Sequence, residues 1–186
     1  MSVNVPTDTL TDGEHSIELY AVDNLANRGT VRLLRFAKIS LDSVAIEFGN
    51  PVVVSEGVTF ISSQSSITVS TPYTSLRVQY QVVDGTNSHD ESRWISSNGN
   101  SVTFNIPNTM HDGTYTIYYR AFSGNKFGSI KSIQVRLDNT APTVNVNIED
   151  GALLLPGDTI TITATDNGSG VAKIFYRIDN GEWVSN

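Results

Sequence analysis

"HDGTYTIYYRAFSGN", residues His111–Asn125, reads as a turn followed by one long strand. Tyr115, Ile117, Tyr119 and Ala121 fall on one side of the alternation, and Thr114, Thr116, Tyr118 and Arg120 on the other. That is the period of a strand with one buried face. Similar alternation runs through "SVTFNI" (Ser101–Ile106), "LRVQYQVV" (Leu76–Val83) and "DTITITAT" (Asp158–Thr165). Asp12-Gly13, Asp84-Gly85, Asn98-Gly99, Asp112-Gly113, Asp150-Gly151 and Asn180-Gly181 punctuate these runs with turn chemistry. No stretch of helical length sustains a 3.6-residue pattern, and "VRLLRFAKI" (Val31–Ile39) reads equally well as a strand. The expectation is an all-β sandwich.

The opening stretch also has a counterpart. "TDGEHSIELYAVDNLAN" (Thr11–Asn27) shares its frame: Asp-Gly, two residues, Ser or Thr, Ile, then Ala four positions on. Upstream, "SSITVSTP" (Ser65–Pro72) matches "DTITITAT", "LRVQYQVVDG" (Leu76–Gly85) matches "AKIFYRIDNG" (Ala172–Gly181), and Trp94 matches Trp183. The central stretch, 43–141, carries both halves of the pattern. Residues 1–42 carry only its second half and residues 142–186 only its first, and together they approach the length of the central copy. The predicted organisation is therefore one complete domain, 43–141, flanked by two complementary half-domains. A half-sandwich leaves an open edge and a bare apolar face, so the halves are expected to complete each other. Closure within one chain and closure between chains both satisfy the pattern.

Composition narrows the function classes. With 39% hydrophobic and 17% charged residues the chain is too apolar for disorder, and no apolar run approaches the ~20 residues that span a bilayer. A net charge of -7 argues against a nucleic-acid surface, which needs clustered Lys and Arg. The absence of cysteine removes disulfides, thiolate metal sites and cysteine nucleophiles. Met1–Leu10 lacks a basic segment followed by an apolar one, and the half-patterns favour an internal piece of a longer exported chain over a cytoplasmic protein. Catalysis is not expected. His15, His89 and His111 have no metal-ligand spacing, no G-x-S-x-G or phosphate loop occurs, and Asp90-Glu91 reads as a solvated face of an exposed loop.

"LDNTAP" (Leu137–Pro142), "ATDNGSGVAKIFYRIDNGEW" (Ala164–Trp183) and "DGEHSIELYAVDNLANRG" (Asp12–Gly29) resemble the bacterial tandem immunoglobulin-like repeats of large cell-surface proteins. The terminal segments follow that frame closely, except that Ala26 stands where glycine usually precedes Asn27. The central copy departs further, with "TPYTSL" (Thr71–Leu76) in place of the D-x-G-S-G turn. The resemblance implies immunoglobulin-like sandwiches acting as a non-enzymatic spacer in an extracellular or surface-attached, adhesin-like protein. Its partners would be neighbouring repeats or another copy of itself. The alternative is a carbohydrate- or protein-binding module, including an accessory domain of a secreted polysaccharide-degrading enzyme.

Residue roles follow from these two readings. Tyr115 and His15 resemble the corner residue of such sandwiches, whose polar tip bonds backbone across the turn. Trp94 and Trp183 are expected as core anchors. Tyr118, forced outward by its neighbour Tyr119, and Tyr73 are the candidate binding aromatics. Asp138, Asn139 and Asp166 are the candidate calcium ligands, because oxygen-bearing loop residues cluster there and similar junctions in repeat adhesins hold calcium. The competing reading gives those oxygens to turn and cap hydrogen bonds.

Overall fold

The structure, a computed structural model, describes residues 2–185. It is all-β, and no helix occurs among the described residues. In chain order the strands are β1 (Gly13–Leu19), β2 (Arg32–Lys38), β3 (Ala45–Phe48), β4 (Val52–Ser55), β5 (Val58–Ile61), β6 (Ile67–Ser70), β7 (Arg77–Asp84) and β8 (Ile95–Ser96). They continue with β9 (Ser101–Phe104), β10 (Gly113–Ser123), β11 (Lys126–Phe127), β12 (Lys131–Leu137), β13 (Thr143–Val146), β14 (Ile162–Thr165), β15 (Phe175–Tyr176) and β16 (Val184–Ser185).

Strands β3 to β12 form a sandwich. One sheet runs β4-β5-β12-β10-β7-β8, with β11 folding back on β10, and the other is β3-β6-β9. The alternation of the opening stretch sets the core. Tyr115, Ile117, Tyr119 and Ala121 of β10 are all buried, Ile117 completely. With Val78 and Tyr80 of β7 and Val135 and Leu137 of β12, they pack against Val69, Ile67, Ile46 and Phe104 of the facing sheet. The Tyr80 and Phe104 rings stack across the sheets with centroids 3.6 Å apart.

The flanking segments build small sheets of their own. Strand β1 pairs with β2, β13 with β14, and β15 with β16. Each repeats a register of the sandwich. In β1–β2 Gly13 faces Lys38, His15 faces Phe36 and Ile17 faces Leu34; in β10–β12 Gly113 faces Leu137, Tyr115 faces Val135 and Ile117 faces Ile133. Beyond the strand the Ala21 carbonyl accepts the Gly29 N–H at 2.8 Å, as the Ala121 carbonyl accepts that of Gly128 at 2.9 Å. In β13–β14 Asn145 faces Thr163 and Val146 faces Ile162, as Ala45 faces Ser70 and Ile46 faces Val69 in β3–β6. In β15–β16 Phe175 faces Ser185 and Tyr176 faces Val184, as Gln79 faces Ser96 and Tyr80 faces Ile95 in β7–β8. Among the described strands no ladder joins β1 or β2 to β13–β16.

The two flanking segments leave the sandwich at opposite ends of β12. At its start, Ile39 and Leu41 pack against the core, and the Ser129 N–H donates to Asp42 Oδ1 at 2.6 Å. Gly128 allows this approach, because a Cβ there would lie 2.3 Å from the Leu41 carbonyl oxygen. At its end, Asp138 Oδ2 accepts the Ser169 N–H at 2.6 Å, and Asp112 Oδ1 accepts the Asn139 N–H at 2.8 Å.

Candidate interaction surfaces

The corner expectation holds in geometry at both places. The Tyr115 hydroxyl donates to the His111 carbonyl at 2.8 Å, and His15 Nε2 bonds the Thr11 carbonyl at 2.7 Å. Each bridges back four residues over its Asp-Gly turn. Burial pushes the Tyr115 phenol upward, helped by the charges of Asp84 and Asp112.

The outward face of β10 is less open than its sequence suggests. Thr116 and Arg120 point away from the core yet are buried, because the loop between β7 and β8 folds over them. Gln81 clamps that loop with two bonds, its Nε2 donating to the Asp90 carbonyl at 3.1 Å and its Oε1 accepting the Asp90 N–H at 2.7 Å. The Tyr118 hydroxyl donates to the Asn87 carbonyl at 2.9 Å. Arg120 sits between two rings, with Cζ 4.4 Å from the centroids of both Trp94 and Phe127. Its Nη2 donates to Glu91 Oε2 at 2.9 Å. With the Gln79 amide turned so that its oxygen faces the guanidinium, it accepts from Nε at 2.6 Å and Nη2 at 2.8 Å. The bond from Arg120 is the main cause holding the Glu91 carboxyl below the usual range.

Two sequence expectations change here. Trp94 is no core anchor: it lies half-buried on the outer face of the sheet, its Nε1 donating to Glu91 at 3.2 Å. Trp183 is 61% exposed, with Arg177 lying 4.9 Å over its ring. His89 is half-buried, 5.3 Å from the Tyr118 ring, while the Asp90 and Glu91 side chains stay exposed. The sequence signal was four polar residues, Gln79, Gln81, Thr116 and Arg120, on the same outward face of the neighbouring strands β7 and β10, with Arg120 directly opposite Gln79. Polar groups there call for a polar cover.

Of the candidate binding aromatics, Tyr118 stands on this outer face, whereas Tyr73 packs against the core near Val44 and Leu76. They do not form one strip. Of the candidate calcium ligands, Asp138 and Asp166 line one cavity of ≈ 320 Å³ at the junction, and Asn139 turns away to accept the Ser63 N–H at 2.7 Å. Asp138 Oδ1 accepts the Thr140 N–H at 3.2 Å and Oδ2 that of Ser169, while Asp166 Oδ1 accepts those of Gly168 and Gly170, both at 2.8 Å. Burial raises the Asp138 carboxyl, but the bonds from Ser169 and Thr140 outweigh it and hold the group low. Gly168 permits the contact, since a Cβ would meet the Asp138 carboxylate at 2.3 Å. Among the described residues no group of three or more His, Asp or Glu is placed to hold a metal ion.

Apolar side chains are also exposed on the flanking sheets. Leu19, Leu34 and Phe36 of the β1–β2 hairpin are 42%, 47% and 39% exposed. Their register counterparts Tyr119, Ile133 and Val135 face the interior of the sandwich. At the other end Ile160, Ile162, Ile174, Tyr176, Arg177 and Ile178 line an open groove of ≈ 500 Å³. Patches of this kind mark interaction surfaces. Compared with protein-family models, curated proteins and solved structures, the chain has no match.

Proposed function

We propose that this chain is a non-enzymatic spacer module made of immunoglobulin-like repeats, working within a bacterial extracellular or cell-surface protein. The observation that carries the reading is the recurrence of registers: each flanking strand pair reproduces one pair of the central sandwich, corner bond included. On this reading residues 1–42 are the second half of one repeat, 43–141 a whole repeat and 142–186 the first half of another. The mechanism is mechanical. Flanking segments leave the sandwich at opposite ends, so stacked repeats lengthen the molecule and transmit load along β12. Pulling single molecules from both ends tests it. The sandwich should give way in one step, releasing roughly 350 Å of chain for residues 43–141; gradual extension at low force would contradict a load-bearing role.

A second reading, carbohydrate binding, is favoured by one feature. Phe127 is 49% exposed beside Trp94 and Arg120, and aromatic faces next to an arginine stack on sugars. A glycan array with Trp94→Ala as control tests it, and binding that the variant abolishes would support this reading over the spacer.

A further inference from the structure

We propose that the β1–β2 hairpin of one copy seats on the open face of residues 143–185 of a second copy, in a register that sets Glu18 opposite Arg177. The inference rests on the repeat reading above and adds a partner, a pairing and a direction of growth.

The register comes from the sandwich itself. Strand β10 pairs antiparallel with β7, with Ile117 facing Val82, Tyr118 facing Gln81, Tyr119 facing Tyr80 and Arg120 facing Gln79. The β1–β2 and β15–β16 registers identify the counterparts of these positions. Carried over, Ile17 faces Ile178, Glu18 faces Arg177, Leu19 faces Tyr176 and Tyr20 faces Phe175. The inward pairs are apolar. The outward ones are an opposite-charge pair and an aromatic pair, combinations that stabilise neighbouring strands. A shift by one residue would turn Ile17 and Leu19 out and set Glu18 against the apolar groove.

The connectors decide that the partner is another copy. Residues 39–42 are packed and bonded at the start of β12, and residues 138–140 are bonded at its end. These two points are separated by a seven-residue strand, about 20 Å. Neither connector has slack to bring a chain's own hairpin to its own groove. The contact joins unlike surfaces of two copies, hairpin to groove, so copies add head to tail.

Cysteine pairing reads the register directly, since the chain has no cysteine of its own. Glu18→Cys and Arg177→Cys single variants, mixed and oxidised, should give a disulfide-linked pair of chains absent from either variant alone, because facing Cα atoms lie within disulfide reach. Ser16→Cys mixed with Arg177→Cys should not. The double variant Glu18→Cys/Arg177→Cys should give a ladder of linked copies. In parallel, the unmodified chain should gain mass with concentration by light scattering. Glu18→Arg should weaken that association about five- to tenfold, and adding Arg177→Glu should restore it. A monomer at all concentrations whose double variant forms only an internal disulfide overturns the second-copy proposal and keeps the complementary halves. A monomer with neither disulfide overturns both, while the pulling experiment still judges the spacer role of the central sandwich.

Discussion

Ala26 shows how one residue records a departure from its motif. It adopts φ 65, the left-handed region, in a turn where Asp23 accepts N–H bonds from Leu25 and Asn27 at 2.8 and 2.9 Å. The turn demands that conformation, and an L side chain there costs about 1 kcal/mol. Ala26→Gly should therefore stabilise the hairpin by about that amount, read as slower amide exchange across β1 and β2. The junction carboxylates yield to the same kind of argument. Asp138 already uses both oxygens on backbone N–H groups and Asp166 one. Calcium would compete with those bonds for the carboxylate charge, so the melting temperature should stay put when millimolar calcium or a chelator is added. A rise of several degrees with calcium would show that Asp138 and Asp166 trade turn bonds for a metal.

Among the elements, the long strands were the most legible. The alternation in β7, β9, β10 and β14 follows from side chains that repeat every two residues, and turn glycines mark the ends. What sits outside β10 was not legible, because alternation sorts residues by face and is silent on what covers the second face. Arg120, an outward residue by pattern, is buried because the loop from Gly85 to Trp94 and the Phe127 ring of β11 close over it. That loop depends on a carboxylate, which makes its stability pH-dependent. Arg120 holds the Glu91 carboxyl below its unfolded value, so the stabilisation is fully present above the ordinary carboxylate range and is lost as pH falls through the lowered native value. In a Trp183→Phe, His89→Gln background, Trp94 fluorescence should be flat from about pH 5 to 8 and change below about pH 4. Arg120→Met, which keeps the packed stem and removes the guanidinium, should abolish the step. A step unaltered in that variant would assign it to the other lowered carboxylates, Asp90 among them.

At the scale of the whole molecule, local order and burial part company. The β1–β2 hairpin has the register of β10–β12 and the same corner bond, yet its apolar side chains face solvent where those of β10 and β12 are covered. Sequence repetition revealed the correspondence because strand pairing is specified by side chains a few positions apart. It left open which chain supplies the missing sheet, because that depends on where the connectors emerge from a folded domain. An isolated two-stranded hairpin is marginally stable in water, so flanking strands that lack a facing sheet should open far more often than the sandwich. Hydrogen exchange at low concentration should find β10 and β12 protected to the global limit, and β1, β2, β14 and β15 exchanging orders of magnitude faster. Raising the concentration should slow exchange in these four strands together, while β10 stays unchanged. The coincidence is the telling part: association through any other surface would protect one end of the molecule, or neither, whereas a composite sandwich must order the hairpin of one copy and the groove of the next in the same step.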